Sequence, residues 1–206
     1  VSLQDARPQV HDRTSNTPYD PHYFFLSGWA SRRITAIRPH LHVDVGSHNL
    51  FINVLAAVVP TVFVDYRPLE VSVTGLYCTG GDILRLPFAD GSLQSVSCLH
   101  VAEHIGLGRY GDPLIPAGTQ LSIAELIRVL APGGNLYFAL PVGRERVCFN
   151  SHRIFSPATV RKLFAAFELV EFSGVTDSGR YCEHIELSSL DASDYACGFF
   201  WLRRPV

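Results

Sequence analysis

The stretch LHVDVGSHNLFINVLAAVVPTVFVDY, residues 41–66, decides the fold. Leu41 to Val45 is a short, nearly unbroken apolar run of the kind a strand buried on both faces requires, and Val62 to Val64 is a second. Between them Leu50 to Val59 is apolar enough for a packed helix, and Pro60 ends it. Strand, helix and strand in that order form a crossover unit whose two strands lie parallel in one sheet.

The alternation continues downstream. Leu76–Cys78, Ser95–Leu99, Leu136–Leu140, Leu169–Phe172 and Cys197–Leu202 read as further strands. Ser122 to Leu130 reads as a helix, with Ser122 and Glu125 at capping-box spacing and Ile123, Leu126, Ile127 and Leu130 on one face. Ser156 and Pro157 open another, whose buried stripe is Val160, Leu163, Phe164 and Phe167. Upstream, Phe25, Leu26, Trp29, Ile34 and Ile37 give a first helix over 22–38, stopped by Pro39. Residues 1–21, with Pro8, Pro18 and Pro21, read as an extended arm over the surface. The chain is thus expected to be one α/β domain over 1–206, with a mainly parallel sheet covered on both faces.

Composition agrees with that architecture and excludes others. The 206 residues are 47% hydrophobic and 17% charged, which rules out disorder and coiled coil. A net charge of -2, from 17 basic and 19 acidic residues, gives no reason to expect nucleic acid or an anionic membrane as partner. The longest apolar run, Val54 to Val64, is broken by Pro60 and Thr61 and is far short of the roughly 20 residues a membrane span needs. Five cysteines, at 78, 98, 148, 182 and 197, contain no C-x-x-C pair and no zinc-ligand spacing. They point to a reducing compartment, hence the cytoplasm, and to no metal. No basic, apolar leader opens the chain, although the absent initiator Met leaves a processed start open.

In such a sheet a ligand binds beyond the carboxyl ends of the strands. The first ends in Asp44-Val45-Gly46-Ser47-His48, where Gly46 lets main-chain N–H groups approach a ligand and Asp44 can accept from a cationic amino group. The second ends in Asp65, whose carboxylate can take two hydrogen bonds from the vicinal hydroxyls of a ribose; its 19-residue separation from Gly46 suits a nucleoside-binding unit. A turn aspartate and a helix cap are the plain alternatives.

Three ordered stretches, GDILRLPFADGS (81–92), VAEH (101–104) and ELIRVLAPGG (125–134), resemble the class I S-adenosylmethionine-dependent methyltransferases. The resemblance spans about residues 41–141. It implies a Rossmann-like three-layer sandwich of seven strands whose last is antiparallel, with S-adenosylmethionine as cofactor. It places Asp44, Gly46 and Ser47 around the methionine part, Asp65 at the ribose, and Asp82 and Ile83 beside the adenine. His48 and Leu50 stand where the family usually continues with glycines, and Gln94 replaces a frequent aspartate. Side chains at 48 and 50 would narrow the loop.

Two further stretches, HIGLGRYGDPLIPAGT (104–119) and GRERVCFNSHRIFSP (143–157), look like an uncharacterised methyltransferase-like branch associated with bacterial surface-glycan genes. With 175–195 they read as loop insertions in a core over 41–206. The implied reaction is methyl transfer to oxygen on a small-molecule or glycan acceptor. Such an acceptor must lose a proton, so His104 is the first candidate base and His152 the second. Arg109, Tyr110, Asp112, Asn150 and Arg153 are the candidate acceptor contacts; Asp112 could also assist a base or bind a metal, but between Gly111 and Pro113 it reads more readily as a turn residue. His100 reads as a satisfied core residue, Glu183 and His184 as surface, and Phe199, Phe200 and Trp201 as a buried strand. A homodimer is compatible with the sequence. The competing function is a non-catalytic cofactor-binding or interaction protein with a degenerate glycine loop; a nicotinamide oxidoreductase lacks its G-x-G-x-x-G turn after the first strand.

Overall fold

The computed structural model describes residues 2–206. Four α-helices are α1 (Pro21–Ile37), α2 (Asn49–Ala56), α3 (Gly118–Val129) and α4 (Pro157–Leu163). Ten strands are β1 (His42–Val45), β2 (Thr61–Asp65), β3 (Leu76–Gly80), β4 (Leu93–Leu99), β5 (Leu130–Val142), β6 (Arg146–Cys148), β7 (His152–Ile154), β8 (Glu168–Val175), β9 (Tyr181–Cys182) and β10 (Ala196–Arg203). The main sheet has eight strands in the order β3-β2-β1-β4-β5-β10-β8-β9. β1 to β5 are mutually parallel, and β10 runs antiparallel between β5 and β8. This is the Rossmann-like α/β fold the sequence implies, with the last strand reversed. The eighth strand is the two-residue β9, which pairs with β8 at the edge and is too short to carry an apolar pattern.

Local chemistry sets the helix ends. Asp20 caps α1, accepting from the main-chain N–H groups of His22 at 2.8 Å and Tyr23 at 3.3 Å, and Pro21 supplies the first helical residue. Ser156 caps α4 by accepting from Thr159 N at 3.1 Å, again with proline next. The capping box expected at Ser122 and Glu125 is absent. α3 starts a turn earlier at Gly118, where an added Cβ would lie 2.2 Å from the Ile105 carbonyl oxygen, so glycine is required for the close approach. Ser122 is a mid-helix residue that donates to the Thr119 carbonyl, and Glu125 is used elsewhere.

Two apolar layers flank the sheet. On one side α3 and α4 pack Leu126, Val129, Val160 and Phe164 against Val96, Phe138 and Phe200. On the other, α1 and α2 pack Trp29, Ile34, Ile52 and Leu55 against Phe63, Tyr137 and Phe199. α1 is also pinned by charge. Glu171 on β8 is buried and accepts from Trp29 Nε1 at 2.9 Å, from Arg33 Nε and Nη2 at 3.0 and 2.8 Å, and from Ser173 Oγ at 2.6 Å. Residues 2–20 are exposed throughout, as an arm would be, with one short 3-10 turn over Leu3–Asp5. Among the described residues no helix is long and apolar enough to cross a membrane.

Candidate functional site

The carboxyl ends of β1, β2 and β4 meet at the sheet edge, where the strand order turns outward in both directions from β1 and β4. Two cavities open there. The smaller, about 150 Å³, is lined by Gly46, Asp65, Tyr66, Asp82, Ile83, Val101 and the 104–115 loop. The larger, about 1150 Å³, is lined by Pro18 to Tyr23, His48, His100, Glu103, His104, Arg109, Ser151, His152, Thr176 to Gly179 and Tyr195. Gly46, His100, His104 and Tyr110 border both, so the cavities adjoin along that line.

The smaller cavity sets a fixed carboxylate beside bare main chain. Asp65 accepts from Arg67 N at 2.7 Å through Oδ1, which fixes the carboxylate and leaves Oδ2 without a hydrogen-bond partner among the described residues. Gly46 holds φ +70; a Cβ there would lie 3.1 Å from Val101 Cγ1 and 3.6 Å from Asp65 Oδ2. A side chain at 46 would therefore be strained and would fill the space between strands. Asp82 fixes the next loop by accepting from Leu84 N at 2.8 Å, and presents Ile83 as an apolar wall. That loop is in turn gripped by α3. Glu125 Oε2 accepts from Leu86 N at 2.9 Å, while Arg128 donates to the carbonyls of Phe88 and Leu86 at 2.9 and 3.1 Å. The stretches 81–92 and 125–134 thus act as one piece, the second holding the first.

Asp44 and Ser47 lie under this site rather than in it. Both are buried, and neither lines a cavity. Asp44 accepts from Ser47 N at 2.9 Å and from Ser97 Oγ, and Ser47 Oγ accepts from Leu99 N at 3.1 Å. The expected contact of Asp44 with an amino group is therefore replaced by a buried chain. Ser97 has one hydroxyl proton and gives it to Asp44, so it must accept from His42 Nε2, 2.8 Å away; His42 Nδ1 then accepts from Ser95 Oγ, also at 2.8 Å. Burial draws His42 down to about 3. Burial also pushes Asp44 up to about 6, against the hydrogen bonds from Ser97 and Ser47 and with the nearby Asp65 carboxylate adding to the rise.

His48 and Leu50 do not narrow the smaller cavity. His48 is exposed and caps α2, its Nδ1 accepting from Leu50 N at 3.3 Å, and Leu50 points outward at 67% exposure. What closes the cleft is the 104–119 loop. The Arg67 guanidinium lies 4.7 Å from the centroid of the Tyr110 ring, and that of Arg109 5.2 Å from it, so Tyr110 bridges the loops after β2 and β4.

Asp112 and Arg153 shape that loop instead of facing an acceptor. Asp112 accepts from Gly106 N at 2.8 Å and Tyr110 N at 3.1 Å; these main-chain donors outweigh the effect of burial and hold its carboxyl below the ordinary range. Arg153 is buried and donates to the carbonyls of Ile105 at 2.6 Å and of Ile115 and Pro116 at 3.2 Å each. With Thr119 Oγ1 at 3.3 Å, these acceptors take the four N–H groups of Nη1 and Nη2, so the fork of the guanidinium is committed to holding the chain. Asn150 is exposed and lines neither cavity.

His104, His152, Arg109 and Tyr110 do converge on the larger cavity. His104 Nδ1 lies 2.6 Å from the Ser151 carbonyl, so it carries the proton and leaves Nε2 free, 3.7 Å from Glu103. Arg109 donates to the same carbonyl at 3.2 Å. His152 Nδ1 is 2.9 Å from Ser151 Oγ, and burial lowers its affinity for a proton.

Sequence reasoning missed the rest of the cavity wall. His100 is no plain core residue: it borders both cavities and holds φ +58, a strained conformation for a non-glycine residue. Its Nδ1 is 2.8 Å from Glu103 Oε1 and its Nε2 3.1 Å from Cys197 Sγ. Burial opposes its cation, but Cys197 and Glu103 outweigh that and hold it well above the ordinary histidine range. His22 stacks on His100 at 5.5 Å and on Tyr195 at 5.1 Å, and is lowered to about 4, chiefly by burial and then by His100. The only advance sign was the run Pro18-Tyr19-Asp20-Pro21-His22-Tyr23, dense in side chains that bind polar ligands yet placed at an arm-to-helix junction.

Solved structures share this fold. The N-methyltransferase NodS from Bradyrhizobium japonicum WM9, solved with S-adenosyl-L-homocysteine, is 15% identical with a TM-score of 0.63, covering 93% of this chain and 90% of its own. The 1,6-didemethyltoxoflavin-N1-methyltransferase of Burkholderia thailandensis, with S-adenosylhomocysteine bound, is 14% identical with a TM-score of 0.56 over 98% of this chain and 100% of its own. The [4+2]-cyclase SpnF is 16% identical with a TM-score of 0.60 over 86% of this chain and 81% of its own. At these identities the likeness is one of fold, the fold of S-adenosylmethionine-dependent methyltransferases. No curated protein matches the chain in sequence. A family model does, over residues 89–196, more than half of the chain, and by that match the chain belongs to the family described as Caenorhabditis protein of unknown function, DUF268.

Proposed function

We propose that this chain is an S-adenosylmethionine-dependent methyltransferase that methylates oxygen on a small polyhydroxylated or glycan-like acceptor in the cytoplasm. The observation that carries the reading is the pairing of a fixed carboxylate with bare main chain: Asp65, held through Oδ1 and free at Oδ2, faces Gly46 across the ends of β1 and β2. Those residues fit the cofactor. Asp65 would accept from the ribose hydroxyls, Gly46 gives room for the tail, and Ile83 and Val101 supply apolar faces for the base. When bound, S-adenosylmethionine supplies a methyl group on a cationic sulfur. Asp44 and Asp65 raise the negative potential at these strand ends, and a cation is the species that potential favours.

The larger cavity supports the acceptor class. Tyr19, Tyr23, Tyr110 and Tyr195 offer half-exposed rings among histidines, Arg109 and Asp177, a mixture suited to an acceptor with apolar faces and many hydroxyls. His104 Nε2 takes the acceptor proton, and Glu103, 3.7 Å away, stabilises the imidazolium that results. Holding the acceptor in line with the methyl is the larger part of the catalytic task.

One observation favours the competing reading of a non-catalytic binder: at about 150 Å³ the smaller cavity is below the roughly 300 Å³ at which ligand pockets begin. Tyr110 must swing from Arg67 for a whole nucleoside to enter. The test is transfer of labelled methyl from S-adenosylmethionine to a panel of oligosaccharides, with S-adenosylhomocysteine affinity measured in parallel. His104→Ala keeps the affinity and loses turnover by about 100-fold or more. Unchanged turnover removes His104 from the mechanism; binding without transfer to any acceptor favours the non-catalytic reading.

A further inference from the structure

Three donors of the kind that ligate transition metals meet at the wall of the larger cavity, which His22 and His100 line and Cys197 backs, although they lie far apart in sequence. His22 comes from the first turn of α1, His100 from the end of β4 and Cys197 from β10, and one ligand atom of each lies within 4.8 Å of the other two. We propose that His22, His100 and Cys197 form a site for a zinc-class divalent ion, with a fourth position open toward the cavity.

Two nitrogens and one sulfur are the borderline-soft donor set that such ions take, and three protein ligands with one vacant position is the pattern of reactive rather than purely structural sites. The surroundings match. His100 Nδ1 lies 2.8 Å from Glu103 Oε1, the carboxylate-to-imidazole support that fixes a ligating histidine with its other nitrogen facing the metal. That other nitrogen, Nε2, faces Cys197 Sγ at 3.1 Å. Tetrahedral coordination at ordinary zinc distances sets N and S about 3.6 Å apart, so this edge opens by roughly 0.5 Å while the half-exposed His22 ring turns inward.

Charge argues in the same direction. Glu103 is fully buried, and its Oε2 has no hydrogen-bond partner among the described residues. A buried carboxylate with an unsatisfied oxygen is costly unless a cation compensates it. A divalent ion replaces the single proton held between Cys197 Sγ and His100 Nε2, which leaves to solvent; its two positive charges are then balanced by the Cys197 thiolate and the Glu103 carboxylate. The strained φ of +58 at His100 is what aims its ring at this point.

The test uses the full chain under reducing conditions, stripped with a chelator and titrated with Co²⁺, with no nucleoside present. The proposal predicts one bound equivalent, a thiolate-to-cobalt charge-transfer band in the near ultraviolet, and loss of both on competition with Zn²⁺. Cys197→Ser abolishes the band. Because Cys197 is fully buried, that variant is checked by circular dichroism, and His22→Ala, at a partly exposed helix start, gives an independent reading: affinity falls about 10-fold or more with the fold intact. Substoichiometric binding, a bound ion without the band, or unchanged affinity in His22→Ala overturns the site.

Discussion

Replacing Asp44 by asparagine should make the protein more stable at neutral pH, although it removes a residue at the heart of the fold. Asp44 is fully buried, and its folded-state pKa rises from an ordinary 3.8 to about 6, chiefly through burial. A group whose pKa is raised by folding contributes stability that is complete below its unfolded pKa and is lost as pH climbs through the folded one. At about 1.4 kcal/mol per pH unit, that loss is about 3 kcal/mol between pH 4 and pH 6. Asparagine mimics the protonated acid at every pH. The carboxamide can donate one N–H to Ser97, so the Ser97–His42–Ser95 chain reverses as a unit and His42 changes tautomer. His42, drawn down to about 3, contributes with the opposite sign in both proteins and drops out of the difference between them. Urea denaturation of the two proteins from pH 4 to pH 7 should give curves that meet near pH 4 and separate by about 3 kcal/mol at neutrality. In thermal unfolding this corresponds to a rise of about 6–12 °C for a chain of this size. A variant less stable than the parent at pH 7, or a difference that does not change with pH, refutes the reasoning. The stability lost to an ionised Asp44 is intelligible if, as proposed, the site takes a cationic sulfur.

Other consequences concern the loop and the first helix. Arg153→Met removes the cation that ties the carbonyls of Ile105, Ile115 and Pro116, so unfolding should become easier by about 2–4 kcal/mol. Limited proteolysis should then cut within 104–119, and protection of that segment equal to the parent's would show that the loop holds without Arg153. Glu171→Ala leaves Arg33 and Trp29 Nε1 without their buried partner and should cost about 3–5 kcal/mol in denaturant unfolding, whereas a loss below 1 kcal/mol would make the pair dispensable.

Much of the fold was legible because it rests on local apolar runs. Strands buried on both faces show as Val- and Leu-rich stretches, and the start of α4 is marked by Ser156 and Pro157; Pro21, read with the arm, is instead the first residue of α1. The start of α3 was misread because Ser122 and Glu125 have capping spacing by coincidence, while the true signal, a glycine pressed on the Ile105 carbonyl, exists only in three dimensions. In the site, residues read at strand ends divide by where their side chains turn. Gly46, Asp65, Asp82 and Ile83 face the cleft, whereas Asp44 and Ser47 turn down into a chain with Ser97 and His42 that no spacing announces. Arg153 falls in a stretch rich in polar residues, and only its tertiary carbonyl partners show that it is a fastener. The grouping of His22, His100 and Cys197 depends on α1 crossing the ends of β4 and β10, a juxtaposition of residues 78 or more apart.

The central claim, that a nucleoside sits where β1 and β2 end with its sugar on one carboxylate, is tested most directly by calorimetric titration with S-adenosylhomocysteine. The parent protein should bind one equivalent. Asp65→Asn keeps the hydrogen bond from Arg67 N but loses the charge at Oδ2, so it should bind about 10- to 100-fold more weakly with its fold unchanged. No binding by the parent at millimolar ligand, or equal affinity in the two proteins, contradicts the account.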